Sequence, residues 1–471
     1  MGSRRARWLR AVLTGVMLLA VGPGVVSAHT VSTARFDAPL PLSLLFLGAG
    51  GTVALTALWL AVTGRSTAAE PRHLGTISAR TARWLRVGGG AAFGAGVVAA
   101  IAVGVAGRQI AAENIATVFV WPVWFRGLAL LALVVGSLWP ALSPWRAVYR
   151  GLCRLEGEQL ALREYPDRLG AWPAVGGFLV LLGVIENLTV LPRSPTLTAV
   201  VVAGYALAML GGAICFGPVW FDRADPLGTL YRLFGRVASV HTERRPDGTL
   251  DVSLRSPWRG CLRPVSGTAV AVFAVAAVYT VSFDGFTNTR GYRELLFGVR
   301  DALGTGPPTS VLLYLVGLLG FVAAFVAVVR LVETLGSASR SSEAVAVDGG
   351  GVSRGNGAIL AFAPTLLPIA AAYDVAHNYP YVLSNAARLV ELVGGVAVPE
   401  PLGWLPLPAF WGSQVLLIVV GHMIAAVAAH HVAAARYESL SAARRGHLPL
   451  VVLMIGYTVL SLWIISQPVV R

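Results

Sequence analysis

Ten long apolar runs, separated by short polar segments, set the pattern of this chain. They occupy about 41–63, 88–107, 121–141, 173–192, 198–220, 266–283, 309–332, 357–378, 409–432 and 449–467. A helix needs about 20 such residues to cross the hydrocarbon core of a bilayer. In lipid a helix also satisfies every backbone polar group internally. The pattern therefore predicts an all-α, multi-pass transmembrane helix bundle of about ten spans. One further apolar run, 11–21, is too short to span. It follows Arg4, Arg5, Arg7 and Arg10 and leads to the small residues Val26, Ser27 and Ala28. That order reads as a cleavable signal peptide over 1–28, leaving 29–471 as a single transmembrane helical domain with His29 at its new N-terminus.

Composition agrees with the pattern. Of 471 residues 56% are hydrophobic and only 13% charged, against roughly 25% charged in soluble domains. The net charge of +14 would suggest nucleic acid in a soluble protein, but here the arginines crowd into alternate loops. Arg146, Arg150, Arg154, Arg163 and Arg168 lie in 142–172, and Arg244, Arg245, Arg255, Arg259 and Arg263 in 221–265, whereas 379–408 holds only Arg388. The positive-inside rule then places 64–87, 142–172, 221–265, 333–356 and 433–448 in the cytoplasm and both mature termini outside the cell membrane. The partner implied is the lipid bilayer, not nucleic acid. Cys153, Cys215 and Cys261 are scattered and form no metal knuckle or disulfide framework. Within the third basic loop, Pro246-Asp247-Gly248 between alternating runs predicts a small hairpin over about 236–256. The Gly/Ser-rich stretch of about 338–357 reads as a flexible linker.

Ionisable residues inside spans are costly and point to function. Glu186 lies toward the outer end of the fourth span, Asp374 and His377 near the outer end of the eighth, Asp284 at the mouth of the sixth, and Glu113 before the third. His422 sits in the middle of the ninth span, with His430 and His431 at its cytoplasmic end. Asp374 and His377 are three residues apart and share a helix face, so the carboxylate is expected to orient the imidazole. His422 and His430 are eight apart, roughly 12 Å along a helix, too far to share an ion. His73, His241 and His447 fall among arginines and read as solvated. His29, His377 and His422 are the candidate metal ligands. Three nitrogens with an open position suit zinc or copper. Glu186 is a candidate base or fourth ligand, with pairing to an arginine as the plainer reading.

Several stretches together resemble a known family. They are "ENIATVFVWPVWF" (113–125), "SPWRAVYR" (143–150), "YPDRLGAWPA" (165–174), "FDRADPLGTLYRLFGRVA" (221–238), "SFDGF" (282–286), "YDVAHNYPY" (373–381) and "WGSQVLLIVVGHMIAAVAAH" (411–430). In order and spacing they are similar to the fenitrothion hydrolase-like integral membrane proteins. That family tends to place a histidine soon after the leader, where His29 stands. It also tends to follow the second histidine of the ninth helix with an acid, where this chain has His431. The resemblance implies hydrolysis of organophosphorus-type esters, and joined to the candidate ion site it suggests a metal-dependent hydrolase. His29, His377 and His422 would hold the ion, Glu186 and Asp374 would be the catalytic carboxylates, and a small hydrophobic substrate would enter from the membrane. Two other classes remain open. Intramembrane His and Glu also mark ion or proton paths, as in a proton-coupled or metal-ion transporter or a copper-handling protein. Pro364 and Pro368 are placed to break the eighth helix as in transporters. The third class is a membrane scaffold without chemistry.

Overall fold

A computed structural model describes residues 41–63, 70–337, 354–437 and 439–467. The leader and His29 lie outside these residues, as does most of the Gly/Ser-rich stretch. Ten helical spans are present among the described residues: Leu42–Thr63, Ala79–Ala106, Ile115–Val135, Asp167–Glu186, Pro195–Phe216, Thr268–Thr287, Thr309–Gly336, Gly357–Gly394, Leu407–Arg436 and Ser441–Ser466. They coincide with the ten apolar runs, with shifts of boundary: the second span starts nine residues earlier than expected and the fourth lies six residues earlier. The third span starts six residues earlier than expected, because the Asn114 side chain caps it by accepting the Ala116 N–H. It stops at Gly136, which adopts φ 80°. The eighth continues to Gly394, and the tenth starts at Ser441.

Helix starts follow a repeated local rule. Ser143-Pro144, Ser194-Pro195 and Asp225-Pro226 each pair a capping side chain with a proline at the first helical position. The cap accepts an otherwise orphaned N–H, and proline supplies a preset φ where no N–H is needed. The eighth span is interrupted where its prolines stand, by a tight 3-10 turn over Ala363–Leu366.

The sixth and eighth spans are the most enclosed, while the second and seventh mostly face outward. The buried aromatic core gathers on the third span. Trp124 stacks on Trp139 at 5.7 Å, and meets Phe93 and Phe125 edge-on at 5.3 and 5.2 Å.

The expected inner loops collect at one end of the bundle. Strands β1 (Arg72–Ile77), β2 (Val240–Arg244) and β3 (Leu250–Leu254) form an antiparallel sheet in the order β1-β3-β2. It ties the first basic loop to the hairpin of the third. Gly248, at φ 86°, makes the hairpin turn. Arg146–Asp222 at 2.7 Å and Arg223–Asp167 at 2.9 Å join the second and third basic loops. Arg436–Glu333, at 2.6 Å, joins the same ends of the ninth and seventh spans. At the opposite end, Gln109 accepts from Thr196 at 2.8 Å, and Arg388 donates to the Ala112 carbonyl at 3.0 Å.

Candidate functional site

Two spans widen to π-helix where they meet. The third does so over Phe119–Gly127, around Pro122, and the fourth over Leu179–Glu186. Such wide turns are rare and recur at functional sites. A proline inside a helix removes one N–H and displaces the preceding turn. Tyr231 braces the stretch after the proline, its hydroxyl donating toward the Trp124 and Phe125 oxygens at 3.0 and 3.2 Å.

The π-helical turns deliver one charged residue each. Arg126 Nε donates to Glu186 Oε1 at 2.7 Å, and Arg126 Nη1 donates to Asp374 Oδ1 at 2.9 Å. All three side chains are buried. Asn378, one turn beyond Asp374, donates to the same Oδ1 at 3.0 Å. A cavity of about 10 Å³ lies beside Arg126 and Asp374, walled by Leu182, Leu230, Phe234 and Thr280. That is about the smallest space that holds a single water molecule. Arg126 Nη2, Glu186 Oε2 and Asp374 Oδ2 are buried without a protein partner.

A second pair completes the group. His377 Nε2 lies 3.1 Å from Asp284 Oδ2 on the sixth span. Asp284 is buried within electrostatic reach of Arg126, Glu186 and Asp374, and His377 is partly exposed. One arginine therefore faces three carboxylates. Counted with every carboxylate ionised, the group would carry two excess negative charges with His377 neutral and one with His377 protonated.

The sequence-selected residues thus divide. Glu186, Asp374, Asp284 and His377 converge. Asp374 Oδ1 accepts from Arg126 and Asn378, while the carboxylate 3.1 Å from His377 Nε2 is Asp284, from another span, in place of the expected i, i+3 neighbour. The helix face is shared, but the ring leans toward the sixth span. Glu113 stands apart, paired with Arg108 at 2.7 Å on the surface. His422 is buried with Nδ1 against the Ile418 carbonyl at 2.8 Å, and its ring lies 5.7 Å from Tyr457. Tyr457 is hydrogen-bonded to Ser282, two residues from Asp284.

His447 is not solvated. It is buried 5.5 Å from the His430 ring, because the tenth helix begins before it and turns it into the bundle. Arg126 was missed by sequence reasoning, although an arginine inside the apolar run 121–141 was visible and subject to the same rule as Glu186. Among the described residues no three His, Cys, Asp or Glu side chains stand together so as to hold a metal ion. The described residues therefore do not by themselves fit the three-nitrogen ion site, and His29 lies outside them.

Fold and site together define a polytopic helical membrane protein in which one arginine, three carboxylates and a histidine gather among the spans. Compared with known proteins, the chain matches no family model, no curated sequence and no solved structure.

Proposed function

We propose that this protein is a proton-coupled transporter of the cell membrane, with Arg126, Glu186, Asp374, Asp284 and His377 as its coupling group. The observation that carries the reading is charge balance. An excess of negative charge among helices is costly to desolvate, and each bound proton or small monovalent cation cancels one unit of it. Arginine cannot give up its proton, so the exchangeable protons belong to the carboxylates and His377. The two π-helical turns and the broken eighth helix add elements that can adjust as charge changes. By the positive-inside rule the arginine-rich end would face the cytoplasm, with His377 and both mature termini on the outer side.

The test is a pH jump on protein reconstituted in a supported membrane, reading charge displacement. The native protein should give a transient current, and Glu186→Gln and Asp374→Asn should abolish it. No current from the native protein, or an unchanged current from both variants, would refute the proposal.

A metal-dependent hydrolase of organophosphorus-type esters is the second reading. It is favoured by the partly exposed His377 beside Asp284, a carboxylate–imidazole pairing of the kind that orients metal-bound histidine. His29, His377 and His422 would be the ligands of a zinc or copper ion, with Glu186 and Asp374 as catalytic carboxylates. Metal analysis of the purified protein, alongside phosphotriester hydrolysis by His377→Ala, separates it from transport. Metal-free, inactive preparations that still give the pH-jump current would eliminate it.

A further inference from the structure

A second cavity, of about 380 Å³, opens between the sixth, seventh, eighth and tenth spans. Its wall is apolar, including Val278, Phe321, Leu366 and Leu460, and its only hydroxyl is that of Tyr457. The size and the single polar group are those of a small-molecule site. Three further features argue for an occupant more specific than bulk lipid. Leu366 belongs to the 3-10 break of the eighth span, the kind of interruption at which transporters build substrate sites. Gly456 lines the opening, and a Cβ there would meet nothing within 4 Å, so a larger side chain has room at the mouth and glycine leaves that space open.

Third, Tyr457 lies nine residues from the Ser466 end of its span and sixteen from the Ser441 end, about 14 and 24 Å along the helix. A phospholipid keeps its polar head at the interface and cannot bring it to that depth, whereas a small dissolved molecule can. The Tyr457 hydroxyl bonds Ser282 and lies 3.3 Å from the Val278 carbonyl. It therefore stands against the Val278 and Ser282 face of the sixth span.

We infer that this cavity binds a small uncharged apolar molecule with one hydrogen-bonding group, taken from the bilayer and held at Tyr457. The inference names a substrate class for the transport reading and rests on that reading only for the word substrate. Binding at the cavity is measured separately from proton movement, so either can fail alone.

The experiment uses the full-length protein in detergent with added phosphatidylcholine and two photoreactive probes. They are trifluoromethyl-phenyldiazirine and the same compound carrying a hydroxymethyl group, with labelled peptides mapped by mass spectrometry. The hydroxymethyl probe should label 275–278, 321–325 and 452–460 about fivefold more than the plain probe, as one hydrogen bond would give. Tyr457→Phe should erase that preference. Gly456→Phe and, independently, Ala324→Phe should remove labelling of these segments while leaving the pH-jump current. Equal labelling by both probes, labelling as strong on the outward-facing first span, displacement by added phosphatidylcholine, or no response to either filling variant would each overturn the inference.

Discussion

Arg126, at the end of one π-helical stretch, reaches Glu186, the last residue of another, at 2.7 Å. The two residues are sixty positions apart in sequence, and each stands in the π-helical part of its span. A regular α-helix in either span would turn the following residues by a different amount. The same guanidinium then reaches Asp374, 248 positions away, so one cation fixes three spans about a single buried point.

Burial protects the thiol of Cys261. It lies in the turn before the sixth span, fully enclosed, and burial pushes it up to about 12. At pH 8 it holds roughly a thousandfold less thiolate than an ordinary thiol. Maleimide should modify Cys153 and Cys215, both partly accessible, while Cys261 reacts only after unfolding. Fast labelling of Cys261 in the folded protein would contradict the packing of that turn.

His241, in β2, is held below the ordinary imidazole range, first by partial burial and then by the Arg255 guanidinium. The unfolded chain therefore takes up the proton before the folded sheet does as pH falls. Stability from this group is full above about pH 6.5 and declines as pH drops from there through the folded value. Thermal melting of the native protein should fall relative to His241→Asn between pH 8 and pH 5. Parallel curves across that range would remove His241 from the account.

The spans were legible because bilayer thickness imposes one length on every apolar run, and the hairpin because Pro246-Asp247-Gly248 interrupts an alternating pattern. The third strand was not legible. β1 is six residues long with no alternation of its own, and gains its place only by pairing with β3. Four of the selected acids and histidines do meet, since the cost of burying charge is the same wherever it occurs in a span. Their pairing was hidden, because partners come from different helices and the π-helical turns leave no periodic trace. His447 was misread for a related reason: its neighbours in sequence are arginines, while its neighbours in space are on the ninth helix.

Gly421, next to His422, sits tight against the eighth span. A Cβ added there would collide with the Ala372 side chain and the Pro368 carbonyl. Gly421→Ala should push the helices apart and cost about 1–3 kcal/mol, the usual penalty for overpacking. It should also displace His422 from Tyr457. Denaturant melts in detergent measure the first effect. A variant as stable as the native protein would show that the two helices slide freely.

The Arg126 group also allows stability to be separated from function. Removing one partner from a buried ion pair leaves an uncompensated charge and costs about 3–5 kcal/mol, whereas replacing the whole group by apolar residues is often neutral or stabilising. Arg126→Met alone should therefore be strongly destabilised, because Glu186 and Asp374 lose their shared cation. The triple variant Arg126→Met, Glu186→Leu, Asp374→Leu should recover most of that loss in thermal melts. If the group serves only to hold the helices, the triple variant should keep whatever activity the native protein has. If it couples protons to transport, the triple variant should be folded and unable to give the pH-jump current, a combination that a purely structural role does not produce.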